Sequence, residues 1–439
     1  MKKSIINCLL ILFSILSLFV FSSCDNLSFR SIESAKVNKA GELVLSYTDG
    51  TYQNLGAIKG ADGIDGKDGK DGEDGKDGTD GKDGITTIVD ESTGTSLVAA
   101  KALRSTVSIY SSFDVLNGQS VTTASSAGAG IIYKCDKESG DAIIITNYHV
   151  VYEKNSIDST ISNDIKVFLF GSELSGLEIP ATYIGGSVNY DIAVLKITNS
   201  DLIKNSDVCA VEIKSSSLVH VGEDAIAIGN PKAEGIAVTK GIISTDSEDI
   251  QIAVDGTNLV KMRVMRIDTP VNSGNSGGGL FDSSGNLIGI VNAKISDTSV
   301  ESIGYAIPSD IVTAVTENIL HYCDGITCTT MQRPLLGITV TISNSYAKYD
   351  QNTGFISVIE TSIIYEVSES SVTYGKLLVN DIIKSITIRD KTIEVTRQFM
   401  LIDSLLNAKI GDIVTITVER NGEIVNNSFT ITESMITSY

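Results

Sequence analysis

Tryptophan is missing from this sequence of 439 residues, proline occurs only five times and histidine only three times. Basic residues are few beside acidic ones, 34 against 54, and the net charge of −20 argues against a nucleic-acid-binding protein, because such proteins present a basic face. Valine, isoleucine and threonine dominate the apolar runs, which favours β-strands. The length exceeds what one compact core normally holds, so we expect two or three domains.

A glycine-dense turn at residues 272–280 carries Ser276 between two apolar runs. Glycine lets a backbone turn sharply and keeps the turn clear of side chains, which a nucleophilic serine requires. The backbone N–H groups of Gly274 and Ser276 have the spacing needed to hold an oxyanion. Glycine- and serine-rich surface turns are common, so this pattern indicates a catalytic site only in the company of other residues.

A histidine and an aspartate stand upstream, at the ends of apolar runs. His149 follows the run at residues 142–146, and Asp191 precedes the run at residues 192–197. A serine hydroxyl is inert at neutral pH until a base accepts its proton. An imidazole suits that task, and a buried carboxylate holds the imidazole in the right tautomer. The order His149, Asp191, Ser276 is the order of the chymotrypsin triad, so the sequence predicts a catalytic triad.

The residues around these three positions carry a family resemblance. Residues 146–150 (Thr-Asn-Tyr-His-Val), 191–195 (Asp-Ile-Ala-Val-Leu) and 274–278 (Gly-Asn-Ser-Gly-Gly) resemble the catalytic blocks of HtrA-type (DegP-like) serine proteases. The similarity runs from about residue 99 to residue 439. It implies a mainly β fold, with a chymotrypsin-like double β-barrel at residues 99–320.

The activity that the resemblance implies is hydrolysis of peptide bonds in unfolded or misfolded polypeptides through an acyl-enzyme, with no cofactor and no metal. Asn292, Ala293 and Lys294 would line one wall of the pocket for the residue before the cut. Proteases of this family are usually trimers, so we expect a homotrimer. The alternative is a surface adhesion or holdase protein with an idle protease fold, because a fold does not by itself dictate function.

Residues 334–435 resemble a PDZ module. The resemblance implies that the backbone of Leu336, Gly337 and Ile338 captures the carboxylate of a peptide C-terminus, beside an edge strand to which the peptide adds. A helix at residues 397–407 would form the other side of that groove. A β domain that only stacks on the protease is the alternative.

Two cysteines, Cys323 and Cys328, lie close together in an expected linker at residues 321–333. A disulfide between them is permitted outside the cytoplasm, and they can equally remain unpaired. His321 stands beside them, but three ligands without a fourth do not make a structural zinc site. We therefore expect no metal.

The N-terminus has the composition of a secretory signal at residues 1–23, where Lys2 and Lys3 precede an apolar run. Cys24 follows in a setting that resembles a lipoprotein signal-peptidase site. This predicts lipidation of Cys24 and anchoring on the outer face of a bacterial cell membrane. An uncleaved single-span anchor is the alternative.

Three further segments separate Cys24 from the protease. Alternating residues on both sides of an Asp-Gly pair predict a β-hairpin within a small module at residues 24–59. From residue 60 to residue 84 glycine recurs at every third position, which is the period of collagen. A triple helix within a trimer, a flexible charged spacer and a calcium site at the aspartates are the open interpretations. Residues 85–98 are expected to be a linker.

Overall fold

The computed structural model describes residues 32–39, 42–48, 50–57, 94–292 and 303–438. The predicted signal, Cys24, the collagen-like tract, Ala293 and Lys294 lie outside the described residues. The chain divides into two compact units, Met1–Thr86 and Thr87–Tyr439.

The first unit contains a three-stranded antiparallel sheet of β1 (Ile32–Val37), β2 (Glu42–Tyr47) and β3 (Tyr52–Ala57), in that order. Strands β2 and β3 form the hairpin that the Asp-Gly pair predicts. Gly50 lies in the turn of this hairpin and has a φ of 79°, a left-handed backbone conformation that glycine adopts without steric cost. Strand β1, which the sequence pattern did not indicate, pairs with β2.

The first described element of the second unit is a helix, α1 (Gly94–Leu103), which starts inside the stretch predicted to be a linker at residues 85–98. The linker prediction is corrected here. Val98 and Ala102 stand one helical turn apart and are only 5% and 1% exposed, so the segment has a buried face that stabilises it as a helix.

Six antiparallel strands close the first barrel. They are β4 (Thr106–Asn117), β5 (Ser120–Asp136), β6 (Asp141–Thr146), β7 (Asp164–Leu169), β8 (Ile179–Ser187) and β9 (Ile192–Ile197). Their order around the barrel is β4-β5-β6-β9-β8-β7. The isoleucine- and valine-rich strands β6 and β9 lie side by side, with Thr146 opposite Ala193. A short helix, α2 (Asp201–Asn205), follows β9.

Six more strands close the second barrel. They are β10 (Asp224–Gly229), β11 (Ala237–Ile252), β12 (Val260–Ile267), β13 (Gly279–Phe281), β14 (Leu287–Val291) and β15 (Gly304–Pro308). Their order is β10-β11-β12-β15-β14-β13, so this barrel repeats the topology of the first. Helix α3 (Ser309–Tyr322) then packs on β8 and β9 of the first barrel and on β14 of the second. Its apolar face therefore joins the two barrels.

A β-sheet and one helix make up the C-terminal domain. The elements are β17 (Ile338–Tyr349), β18 (Ile356–Val367), β19 (Ile382–Ile388), β20 (Lys391–Glu394), α4 (Gln398–Leu405), β21 (Ile413–Arg420) and β22 (Glu423–Thr430). The strand order is β17-β18-β19-β21-β22, with β20 paired to β19, so β17 is an edge strand. Helix α4 packs against the sheet beside β17. This arrangement is consistent with a PDZ module.

The C-terminal domain also contains two short strands at its two ends in sequence, β16 (Gln332–Pro334) and β23 (Ile436–Ser438). They pair with each other, so the end of the segment expected to be a linker at residues 321–333 is a strand. The domain likewise extends past the expected end at residue 435. Extended segments at an exposed edge satisfy their backbone groups by pairing, which a residue pattern of three positions is too short to reveal.

Helix α4 also contacts the second barrel. Arg397 at its N-terminal end lies 2.7 Å from Asp246, and Asp403 pairs with Arg263 of β12. The ring of Phe399 is close to both guanidinium groups, because its centroid lies 4.0 Å from Cζ of Arg263 and 4.8 Å from Cζ of Arg397. One side of α4 is therefore held by the protease barrel while the other faces the sheet.

In the part of the chain that the structure describes, no helix combines the length and the apolar composition needed to cross a membrane.

Candidate active site

His149 and Asp191 meet because their strands are neighbours. His149 lies in a 3₁₀ turn, Tyr148–Val150, directly after β6, and Asp191 directly precedes β9. The Nδ1 atom of His149 is 2.7 Å from Oδ2 of Asp191, and the backbone N–H of His149 donates to Oδ1 at 3.0 Å. The carboxylate is fully buried and the imidazole is 14% exposed. The β6–β9 pairing thus places the two side chains together although they are 42 residues apart in sequence.

The buried carboxylate has a third donor. The side-chain amide of Asn292 donates to Oδ2 of Asp191 at 2.6 Å, and Asn292 itself is 1% exposed. Burying a carboxylate is costly unless its oxygens are hydrogen-bonded, and these donors meet that need. Asp191 also has a φ of 49°, a left-handed backbone that is unusual for a residue other than glycine and that recurs at functional positions.

Ser276 belongs to the turn that enters β13 of the second barrel, and two contacts tie this turn to the first barrel. The backbone N–H of Ala129 in β5 donates to the carbonyl of Ser276 at 2.8 Å. The N–H of Gly277 donates to the side-chain oxygen of Asn147 at 2.7 Å. Asn147 precedes His149 by two residues, so these contacts hold the Ser276 turn beside the segment that carries His149. We call the region around His149, Asp191 and Ser276, where the two barrels meet, the interbarrel cleft.

The side chain of Asn147 connects the segments that contain His149, Asp191 and Ser276. It is fully buried, its amide nitrogen donates to the backbone carbonyl of Asp191 at 2.8 Å, and its amide oxygen accepts from Gly277. Gly277 can approach this closely only because it has no side chain. Its φ is +82°, and an added Cβ would lie 2.1 Å from the carbonyl oxygen of Ala129. The side-chain amide of Asn147, in the segment that leads to His149, is therefore hydrogen-bonded both to Asp191 and to the turn that contains Ser276.

Comparisons with known proteins show which proteins this chain resembles. The family model for trypsin-like peptidase domains matches residues 128–290. A serine protease Do-like HtrA from Lactococcus lactis subsp. cremoris (strain MG1363) is 32% identical over 321 residues, which cover 71% of this chain and 72% of the relative. A serine protease Do-like HtrA from Bacillus subtilis (strain 168) is 32% identical over 308 residues, covering 69% of this chain and 62% of the relative.

This chain belongs to the HtrA family of serine proteases. The solved structure of "HtrA-type protease AlgW with decapeptide" has a TM-score of 0.50 and 24% identity to it, covering 77% of this chain and 98% of that chain, and it shows the shared fold. The predicted chymotrypsin-like double barrel and the predicted serine endopeptidase activity are confirmed at the level of the family.

The expected pocket wall is only partly described. Asn292 is the described member of the three residues assigned to it, and its amide is directed at Asp191. Sequence reasoning missed this contact, and it assigned no role to Asn147 although that residue lies in the block around His149. A signal was available: both asparagines follow apolar strand residues, and a polar amide at the end of a buried strand needs partners.

A second candidate site of this HtrA chain is a groove of about 410 Å³ between β17 and α4, which we call the C-terminal groove. Leu336, Gly337 and Ile338, which the PDZ resemblance assigned to a carboxylate-binding loop, all line it, together with Leu401 and Leu405 of α4. The helix is shorter than the predicted 397–407 by the residues that flank Gln398–Leu405.

The edge strand of this groove already has a partner from the helix. The side-chain amide of Gln398 donates to the carbonyl of Val340 at 2.6 Å. Gly337 has a φ of 68°, and an added Cβ there would lie 2.4 Å from Cβ of Ser371. A side chain at position 337 would therefore force the loop before β17 to shift.

Cys323 and Cys328 lie at the junction between the protease and the C-terminal domain. The structure records both as thiols, with their Sγ atoms 2.7 Å apart. Burial, reinforced by the neighbouring Cys328, raises the pKa of the Cys323 thiol. Within residues 94–292, 303–438 and the described N-terminal stretches, no three His, Cys, Asp or Glu side chains are grouped to hold a metal ion.

Proposed function

We propose that this HtrA-family endopeptidase cleaves unfolded or misfolded polypeptides by a Ser-His-Asp mechanism. Ser276 attacks the peptide carbonyl, and His149 accepts its proton and later gives it to the leaving amine. Asp191 orients the imidazole, and the N–H groups of Gly274 and Ser276 hold the oxyanion of the tetrahedral intermediate. The observation that carries this proposal is the 2.7 Å contact between Nδ1 of His149 and Asp191.

That contact determines which nitrogen can act as the base. Because the Nδ1–H of His149 is used by Asp191, the neutral imidazole has its lone pair on Nε2, the nitrogen that must accept the hydroxyl proton of Ser276. The aspartate stays ionised through the cycle and stabilises the imidazolium as it forms. No step needs a metal or an organic cofactor.

We propose further that the C-terminal groove binds peptide C-termini. The backbone N–H groups of Leu336, Gly337 and Ile338 would meet the carboxylate, and the peptide would add to the edge of β17. The aliphatic lining from α4 favours an apolar final residue. A solved structure that shares the fold, the HtrA-type protease AlgW, is described with a decapeptide.

The proposed setting is outside the cytoplasm. Cys24, lipidated after removal of residues 1–23, would anchor the enzyme to the outer face of a bacterial membrane. The glycine-periodic tract at residues 60–84 would then be a stalk below a homotrimer of protease domains. Metabolic labelling with a fatty-acid analogue tests the anchor, with Cys24→Ser expected to abolish the label. Chemical cross-linking tests the trimer, and a monomer at all concentrations would exclude it.

Casein cleavage tests the enzyme itself. We expect Ser276→Ala to lower the rate by about 10⁴-fold or more, as for other serine proteases that lose the nucleophile. Ser283→Ala, at an exposed serine in the turn after β13, is the matched control and should cleave normally. Equal cleavage by the intact chain and Ser276→Ala would remove the catalytic proposal. Suppression of casein aggregation without cleavage would instead support the holdase alternative.

A further inference from the structure

A strained turn lies behind the proposed oxyanion-binding site. After β10 the chain makes a tight turn at residues 230–235, in which Lys232 and Ala233 have φ values of 56° and 59°. Two consecutive residues with side chains rarely adopt this left-handed backbone, because Cβ crowds the following carbonyl. Such a turn persists only where neighbouring groups hold it, and strain of this kind is often found at functional sites.

Asn230 and Tyr110 hold this turn. Asn230 is fully buried, and its side-chain oxygen accepts from the N–H of Gly235 at 2.9 Å. Its amide nitrogen donates to the hydroxyl of Tyr110 at 3.2 Å, and that hydroxyl donates to the carbonyl of Ala233 at 3.3 Å. Tyr110 belongs to β4 of the first barrel, where its ring packs edge-on against Phe168. The first barrel therefore clamps a strained turn of the second.

The turn at residues 230–235 also holds Ser273 and Gly274, which precede Ser276 by three and two residues. The N–H of Lys232 donates to the carbonyl of Ser273 at 2.8 Å, and the N–H of Asn230 donates to the carbonyl of Gly274 at 3.2 Å. The peptide unit between Ser273 and Gly274 is planar and trans, so its N–H points opposite to its C=O. With the Ser273 carbonyl held by the turn, the Gly274 N–H is directed away from the turn.

We propose that Tyr110 and Asn230 are positioning residues that fix the oxyanion-binding N–H of Gly274 through the strained turn at residues 230–235. This inference rests on the proposed function, because it assigns a preorganising role within the same reaction. If the clamp loosens, the Ser273–Gly274 peptide can rotate and turn its N–H out of the site. Ground-state binding of substrate would be unaffected, because the oxyanion exists only after attack.

The test compares Tyr110→Phe with Tyr133→Phe in the full chain, using a short chromogenic peptide. Tyr133 is a matched control in the same barrel, because its hydroxyl makes one hydrogen bond of 2.8 Å, to Glu317 of α3. We expect Tyr110→Phe to lower kcat about tenfold with KM unchanged, a smaller loss than the 10²–10³-fold caused by removing an oxyanion donor outright. It should also weaken a peptide aldehyde inhibitor, whose hemiacetal oxygen occupies the oxyanion position, by a similar factor. Tyr133→Phe should change neither value.

A second variant shows whether the effect passes through the turn. Ala233→Gly removes the steric cost of a positive φ, so it should restore much of kcat in the Tyr110→Phe background. The inference is overturned if Tyr110→Phe and Tyr133→Phe have the same kcat, or if Ala233→Gly restores nothing. Failure of the proposed function has a different signature, since the parent chain would then be no more active than Ser276→Ala.

Discussion

In the interbarrel cleft the polar side chains are buried and are bonded to groups from distant parts of the chain, as Asn147 and Asn292 are to Asp191. The C-terminal groove is lined mainly by aliphatic side chains, stands open to solvent and offers the edge of β17. The first arrangement suits chemistry, because groups that are already oriented need no reorganisation during the reaction. The second suits recognition, because an open strand edge accepts peptides of varied sequence through their backbone.

The strongest test of this contrast is Asp191→Asn. An asparagine can present its amide to Nδ1 of His149, which would favour the wrong tautomer and leave Nε2 unable to accept the serine proton. We expect kcat to fall about 10⁴-fold, as for the equivalent change in other triads. Asp282→Asn is the control, since Asp282 is also buried and accepts backbone N–H groups, but in the β13–β14 turn. Comparable losses in both variants would count against the role of Asp191.

A smaller effect is expected when a supporting amide is removed. Asn292→Ala leaves Oδ2 of Asp191 with one donor fewer, so the His149–Asp191 pair should be less rigid. We expect kcat to fall about tenfold or more, on the scale of one hydrogen bond to a charged group. Asn318→Ala is the matched control, because Asn318 is a buried asparagine that bonds Gln332 far from the cleft. If the two variants lose kcat equally, Asn292 serves stability alone.

Gly337→Ala tests the C-terminal groove. This variant should bind peptide C-termini more weakly and should have an unchanged kcat. The new methyl group would meet Ser371 and deform the loop, so we expect peptide C-termini to bind about tenfold more weakly, or 1.4 kcal/mol. Gly375→Ala is the control, because Gly375 also has a positive φ but has open space around it. Affinity is measured by fluorescence anisotropy and kcat on a short peptide. A large fall in kcat would show that the C-terminal groove also affects catalysis in the interbarrel cleft, so that binding and catalysis are not independent.

The smallest effect is expected at the junction between the two regions. Oxidation of Cys323 and Cys328 to a disulfide would close a loop of few residues, which stabilises the chain by about 2 kcal/mol at most. For parent chain that has been oxidised, we expect the melting temperature to fall slightly on addition of reductant, and for Cys328→Ser given the same treatment we expect no change. Because burial raises the pKa of Cys323, its thiol should be alkylated slowly in the reduced folded protein. Rapid alkylation of Cys323 in the folded state would contradict the buried position.

Sequence patterns located the main elements of this protein because those patterns are local. The β-rich fold follows from apolar runs dominated by valine, isoleucine and threonine, and a helix beside the edge strand of the C-terminal domain was expected where α4 lies. The short strands β16 and β23 and helix α1 were missed, since their stability comes from pairing and burial against distant residues.

By itself the sequence determined which chemical groups are available: an alcohol, an imidazole and a carboxylate in the order of a known triad, and a glycine-rich turn around the alcohol. The tertiary structure alone decided which polar side chains support them. The support that Asn147, Asn292, Asn230 and Tyr110 give comes from hydrogen bonds between residues that are 44 to 130 positions apart. A local pattern can mark a buried amide that needs partners, but it does not encode which atoms that amide bonds, because those atoms come within reach only after the strands of both barrels have paired.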